Sequence, residues 1–337
     1  MIDDIKKTLW AAVSVLAMCA ACCLPKQASA EVIATGCVLK KPHGSLQAGQ
    51  EVHLRINSSD GPAHFRWADE FCRYRPSIFR ISGRIDNQME SDFRTLYNAL
   101  KGDAKFQSIK ADYSTIMFTI ESEGGSVLSA IRIGRMLRDL NAMITVPGGR
   151  TCSSSCVFLL VGGVERLVLG HVGVHRPYFE SLDRRRTAAQ VSADIRALDA
   201  MITTYLRDMN ITPNLLDFMK GVSSNEMRWL SDSDLQTFGL SASDPVFDEL
   251  STAHDAWRHG TTSAIFRQRK VASQQCFTGS RASRLSSGAN DCWKAALYGI
   301  GIDEFRRRMQ RLPNLCPNIT YRTYDDCERD VMIGVRR

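Results

Sequence analysis

The sequence predicts an α/β fold built around a largely parallel sheet, and two observations carry that reading. Short apolar runs, of the kind found in strands buried on both faces, alternate with amphipathic stretches of helical period. A Gly-Gly pair in "ESEGGSV" (121–127) stands where one such strand gives way to a helix. Alternation of this type joins parallel strands through right-handed crossovers. The chain has 337 residues, enough for one sizeable domain with extensions or for two. Its 44% hydrophobic and 23% charged content excludes wholesale disorder.

The first thirty residues read as a leader. Lys6 and Lys7 precede an apolar run from about Leu9 to Leu24, and Ala28-Ser29-Ala30 is a small-x-small cleavage site. The run is short beside the roughly 20 residues of a membrane span. Cleavage after Ala30 is therefore expected, with a periplasmic or secreted mature chain beginning at Glu31. An uncleaved anchor is the alternative. A lipoprotein is disfavoured because Met18, not a small residue, precedes Cys19. Eight cysteines remain after cleavage: Cys37, Cys72, Cys152, Cys156, Cys276, Cys292, Cys316 and Cys327. An even count in an exported chain favours disulfides over zinc or redox thiols.

Residues 31–77 form a β-rich extension, in which "EVHLRI" alternates as a half-buried strand and "NSSDGP" supplies a turn. Residues 78–250 form the α/β domain. "IFRISGRI" (78–85) reads as a strand, 87–101 as a helix and "STIMFTI" (114–120) as a buried strand. In the helix after the Gly-Gly turn, Ala130, Ile133, Gly134, Leu137 and Leu140 share a face from which Arg132, Arg135 and Arg138 point away. "AMITV" (142–146) is a strand, 154–164 a short helix, and "RLVL" and "VGVH" two more strands. Residues 187–209 give a long helix with its stripe on Val191, Ile195, Leu198, Ile202 and Leu206.

Residues 251–337 differ. They contain four cysteines and a helical stretch around "CWKAALYGIGIDEFRRRMQRL", with 15 Lys/Arg against 8 Asp/Glu. That excess is either a solvated basic face on a disulfide-stapled module or a contact with an anionic envelope surface. No G-x-x-x-x-G-K-[ST] loop is present. No cofactor, metal or nucleic-acid partner is implied.

Acyl transfer by a serine needs a nucleophile, a base and N–H donors for the oxyanion. The "SEGGSV" turn can leave backbone N–H groups free, although a structural turn would look the same. In "TCSSSC" a serine at a helix start is either a cap or a nucleophile that feels the helix dipole. His175 in "VGVHRP" ends a strand some twenty residues later and is the candidate base. Cys152 and Cys156 are four apart, a spacing that a disulfide spans on a helix. Each cysteine bonding elsewhere, for example to Cys37 or Cys72, is the alternative. Cys37 with Cys72, and the four C-terminal cysteines among themselves, complete the expected pairing.

These motifs resemble, in order and spacing, those of the Clp protease proteolytic subunit. "SEGGSV" is similar to that family's "SPGGSV", "CSSSCVFLL" to "AASMGAFLL" and "VGVHRP" to "VMIHQP". "SGRI" (82–85) is similar to "TGQV", and "RWLSDSDLQTFGL" (228–240) to "RFLSAPEAVEYGL". The resemblance covers roughly residues 78–243. It implies a Clp/crotonase-like parallel sheet of repeated ββα units and an exported peptidase that works without an ATPase. Ser154 becomes the nucleophile, His175 the general base, and the amides of Gly125 and Ser155 the oxyanion hole. Ser153 keeps the cap role. Peptides or proteins are the implied substrates, and self-association through the long helix is implied with its order open.

Two departures stand out. Met227 fills the place of the family's catalytic aspartate. Glu226 is adjacent and is the candidate third member, displaced by one residue, with Asp232 and Asp234 following. The second departure is the cysteine pair flanking the serine. A serine–lysine dyad is disfavoured, because no lysine lies between Ala111 and Met219, and Lys220 is the first available. The rival to a peptidase is a binding or scaffold protein that keeps the fold with weak or no catalysis. Crotonase-type acyl-CoA chemistry is a third reading, disfavoured because coenzyme A is not expected outside the cytoplasm.

Overall fold

A computed structural model of the chain describes residues 31–37, 51–56, 78–178, 185–277, 287–317 and 321–336. The expected leader, residues 1–30, lies outside the described residues. So does Cys72, and with it the expected pair with Cys37.

The fold is mixed α/β. Its larger sheet has four parallel strands, β3 (Ile78–Ser82), β4 (Ile116–Glu121), β5 (Ala142–Val146) and β7 (Glu165–Val168), in that order. β1 (Glu31–Cys37) runs antiparallel to β3, and β2 (Glu51–Ile56) pairs antiparallel with β1 at the edge. In β4 and β5, Ile116, Phe118, Ile120, Ala142, Ile144 and Val146 are buried, one face of each strand, while the residues between them are partly covered, short of the burial on both faces that the apolar runs suggest. A smaller sheet joins β6 (Thr151–Ser153) in parallel to β8 (His171–Val174), with β9 (Arg228–Trp229) antiparallel on β8. Ser122, just past β4, bridges Cys152 in β6 and links the two sheets.

Helices cross between the parallel strands. α1 (Asn87–Gly102) starts at Asp86, whose carboxylate accepts the Met89 N–H. It buries Met89, Phe93, Leu96 and Leu100, spaced to form one stripe. α2 (Ala104–Ala111) follows it. α3 (Val127–Asp139) starts at Ser126 and buries the expected face, Ala130, Ile133, Gly134 and Leu137, with Leu140 just beyond it. Its three arginines are not idle in solvent. Arg132 pairs with Glu90 at 3.3 Å, Arg135 with Asp208 at 2.8 Å and Arg138 with Asp244 at 2.9 Å.

α4 (Cys156–Gly162) is wholly buried and crosses α3 where Gly134 meets Gly162. A side chain at Gly134 would collide with the Tyr205 hydroxyl, which donates to the Phe158 carbonyl at 2.6 Å. α5 (Ala188–Asp208) carries a Thr187–Gln190 capping box. Only its C-terminal half is covered. Ile202, Tyr205 and Leu206 are buried, whereas Ile195 is 46% exposed, so the expected stripe is not buried along its whole length. α6 (Asn214–Lys220) and α7 (Asp232–Thr237) flank β9.

α8 (Pro245–Arg258) runs unbroken across the expected boundary at 250. Its first turn is tied to the α/β domain. Asp244, 2% exposed, accepts the Val246 and Phe247 N–H groups and the Asn210 amide, and pairs with Arg138. Its far end joins a small core of Ala256, Phe266, Leu297 and Trp293 with α9 (Ser263–Ser273) and α10 (Ser287–Tyr298). α11 (Ile302–Leu315) and α12 (Tyr321–Met332) add a second core of Ala295, Phe305 and Met332. Disulfides Cys276–Cys292 and Cys316–Cys327 staple this region, and Cys152–Cys156 is the third bridge among the described residues. Several of the C-terminal arginines are paired, Arg306 with Asp291 and both Arg307 and Arg308 with Glu304. Among the described residues no helix is long and apolar enough to cross a membrane.

Candidate active site

The Gly-Gly turn is built by a serine. The Ser122 hydroxyl donates to the Gly83 carbonyl at 2.6 Å and accepts the Gly124 N–H at 3.0 Å. Gly124 and Gly125 have φ of 99° and 141°, backbone that side chains rarely tolerate. The Ile85 N–H donates to the Gly124 carbonyl at 2.8 Å, and the Ser126 N–H donates to the Ile85 carbonyl at 2.7 Å. In a parallel bridge of this pattern, the N–H and C=O of the middle residue face away from the partner strand. Gly125 is that residue, and its N–H meets no acceptor among the described residues. A side chain there would run into the Ile85 carbonyl.

The serine run sits opposite. Ser153 closes β6, with its N–H donating to the Ser122 carbonyl at 2.9 Å. It is not the helix cap that the sequence suggests. α4 begins at Cys156 instead of 154, and Ser155 is its N-cap residue, without a side-chain cap bond. The register explains this shift: β6 extends to Ser153 because Gly173 of β8 pairs with it. Ser154 lies between strand and helix at φ 57°, in left-handed backbone that costs a serine on the order of 1–3 kcal/mol. Its N–H donates to the Gly173 carbonyl at 2.8 Å. A serine on a strained strand-to-helix turn is the presentation used for nucleophiles elsewhere.

The two segments touch. A Cβ placed on Gly124 would lie 2.7 Å from the Ser154 Cβ and 3.1 Å from the Ser155 nitrogen. Ser155 is 2% exposed, its hydroxyl is buried without a hydrogen-bond partner, and its N–H meets no acceptor among the described residues. An unpaired first-turn N–H is what a helix start offers an anion. The amides of Gly125 and Ser155 are thus both unspent beside Ser154.

His175 follows β8, on the strand adjacent to the one that ends in Ser153. It is 7% exposed, and its Nδ1 lies 2.9 Å from the Arg176 carbonyl oxygen. A carbonyl only accepts, so Nδ1 carries the proton and Nε2 of the neutral ring is left as the acceptor. The ring of Tyr178 sits 5.7 Å from it, centroid to centroid. Ser154, His175, Gly124 and Gly125 all line one cavity of about 450 Å³, with Glu123 and Tyr178 at its walls.

The structure does not bring Glu226 to the histidine. Glu226 is exposed, and no hydrogen bond joins it to His175 among the described residues. The neighbouring Met227 packs on Gly173, where an added Cβ would lie 2.7 Å from its Sδ. Asp234 is occupied as the N3 member of a capping box, accepting the Ser231 N–H at 3.0 Å and its hydroxyl at 2.8 Å. The group that orients His175 is a backbone carbonyl, which has no signature in sequence. Ser122, organiser of the Gly-Gly turn, was also missed; a serine opening the "SEGGS" motif is the available signal. Lys220 is held by Asp199 at 2.7 Å, which raises its pKa and keeps it charged, unsuited to serve as a base.

Cys152 and Cys156 are joined across the serine turn, with their Cα atoms 5.2 Å apart and both residues fully buried. No group of His, Cys, Asp and Glu side chains among the described residues is arranged to hold a metal ion. Comparison with models of known protein families and with curated proteins finds no match for this chain.

Proposed function

We propose that the chain is an exported serine hydrolase of Clp-protease-like, crotonase-type fold that cleaves peptide bonds without an ATPase. The observation that carries this reading is the convergence of Ser154, His175 and Gly125 on one cavity, beside a Ser155 amide, next in the chain to Ser154, that meets no acceptor among the described residues. In this reading His175 Nε2 takes the Ser154 hydroxyl proton as Oγ attacks the substrate carbonyl. The Gly125 and Ser155 N–H groups receive the oxyanion, held by backbone that needs no rearrangement as charge develops. His175 then protonates the leaving amine, and water, activated by the same histidine, releases the acyl group from Ser154. The Arg176 carbonyl keeps Nδ1 protonated throughout, but as a dipole it stabilises the imidazolium less than a carboxylate does.

A slower enzyme than a full triad follows. A separate observation favours the second reading, a binding or scaffold protein on this fold: Met227, not an acid, packs beside β8. Peptide or protein substrates, self-association and contact of the basic C-terminal region with an anionic envelope surface belong to the proposal, as does export with cleavage after Ala30. The experiment is hydrolysis of a quenched fluorescent peptide library by residues 31–337 in the absence of nucleotide. Turnover that disappears in Ser154→Ala supports the hydrolase. No turnover, with peptide binding retained in both proteins, supports the scaffold.

A further inference from the structure

Ser154 occupies left-handed backbone, and such a conformation persists only where its surroundings over-determine it. Hydrogen bonds account for part of the restraint, from the Ser154 N–H to Gly173 and from the Val157 N–H to the Ser154 carbonyl at 3.2 Å. The usual further device at such a turn is a side-chain cap on the helix, and α4 has none: Ser155 is in the N-cap position and its hydroxyl bonds nothing among the described residues. A covalent link stands in its place. Cys152 is locked in β6 between Ser122 and Val172, and Cys156 is the first residue of a helix that is buried throughout. Their bridge closes a ring over Ser153, Ser154 and Ser155, fixing both ends of the turn.

We infer that the Cys152–Cys156 disulfide is the positioning element of this site: closed, it holds Ser154 and the Ser155 amide in the geometry for attack, and opened, it lets the turn relax and the nucleophile is lost. The inference rests on the hydrolase reading, since it concerns the competence of the same serine. It makes activity conditional on an oxidising environment. Opening requires a dithiol reductant. One of its thiolates attacks a bridge sulfur to form a mixed disulfide, and its second thiolate displaces the protein thiol. Two electrons and two protons end on Cys152 and Cys156, and the reductant leaves as its cyclic disulfide. Both cysteines are fully buried, so attack waits on a local opening of the turn.

The test follows fluorophosphonate labelling of Ser154 in the full mature chain while a dithiol opens the bridges in graded steps. The state of each bridge is read by peptide mapping. Labelling is expected to track the closed fraction of Cys152–Cys156 whatever the state of Cys276–Cys292 and Cys316–Cys327, and to return on reoxidation in step with that bridge. In a Cys152→Ala/Cys156→Ala variant that melts cooperatively, the maximum labelling rate is expected to fall about tenfold or more, with the half-saturating probe concentration unchanged. That split separates positioning from a general loss of structure. If the variant does not fold, the graded reduction of wild type decides alone. Labelling that persists after Cys152–Cys156 opens, or that falls with the C-terminal bridges instead, overturns the inference while leaving the hydrolase reading intact. An unlabelled, folded, oxidised wild type overturns both.

Discussion

The Nδ1 atom of His175 hydrogen-bonds the main-chain carbonyl of Arg176, at 2.9 Å, and not a carboxylate. Glu226→Gln is therefore expected to leave serine labelling within about twofold of wild type. His175→Ala should lower it by about 10²–10⁴-fold, the usual contribution of a positioned base. Rates of fluorophosphonate labelling check both. A Glu226→Gln loss matching that of His175→Ala would restore the displaced glutamate to the triad.

Gly125 has a backbone that only glycine takes without strain, and the Ile85 carbonyl occupies the space a side chain would need. Gly125→Ala is expected to destabilise the fold by about 1–3 kcal/mol. On the proposed reading it should also reduce labelling by more than the fraction unfolded explains, because the N–H assigned to the oxyanion shifts. Denaturant melts run beside labelling rates measure the two effects separately.

Asp244 fastens the C-terminal region to the α/β domain, through the first turn of α8 and through Arg138. Burial by itself raises its pKa, but the Phe247 N–H, the Asn210 amide and the Arg138 guanidinium override that and hold it below the ordinary value of 3.8. The folded state thus binds the proton less readily than the unfolded state. Its contribution is complete above the ordinary carboxylate range and is lost as pH falls through it. Asp244→Ala is expected to cost about 3 kcal/mol at pH 7, since it strands Arg138 and removes a cap. The gap between mutant and wild type should narrow near pH 3 in urea melts. A gap independent of pH would remove the ion pair from the account.

The mature chain from Glu31 is expected to contain no free thiol when denatured, three bridges being those described and the fourth Cys37–Cys72. Intact mass and thiol titration of protein recovered from its native envelope test both points. Two free thiols would leave Cys37 and Cys72 unpaired, and a mass that includes residues 1–30 would refute cleavage.

The strands of the larger sheet were legible from the apolar runs "IMFTI" and "AMITV", although β4 and β5 bury only one face fully and leave Met117, Thr119, Met143 and Thr145 on the other partly covered. The Cys152–Cys156 pair was legible from its spacing but not from the helix that the spacing suggests, since Cys152 lies in β6 and Cys156 opens α4, and the turn between them brings them together. The serine turn is less legible: the sequence suggests Ser153 for the cap position that Ser155 holds. The backbone at Ser154 is set by Gly173 and Gly124, which are remote in sequence, and no local propensity encodes them. The partner of His175 was illegible for a related reason, as every residue has a carbonyl. Val191, Ile195, Leu198, Ile202 and Leu206 are periodic along the whole of α5, yet only its second half lies on the domain. Periodicity identifies a face; it does not say how much of that face the same chain covers.

Whether this cavity performs acyl transfer comes down to one atom, Ser154 Oγ. The most direct measurement treats folded, oxidised protein with a fluorophosphonate probe from about pH 6 to 9 and locates the adduct by peptide mapping. A single adduct on Ser154 is expected, absent in Ser154→Ala and largely retained in Ser153→Ala, because Ser153 closes β6 and is not among the residues lining the cavity. No adduct at any pH, or one on another serine, would contradict it.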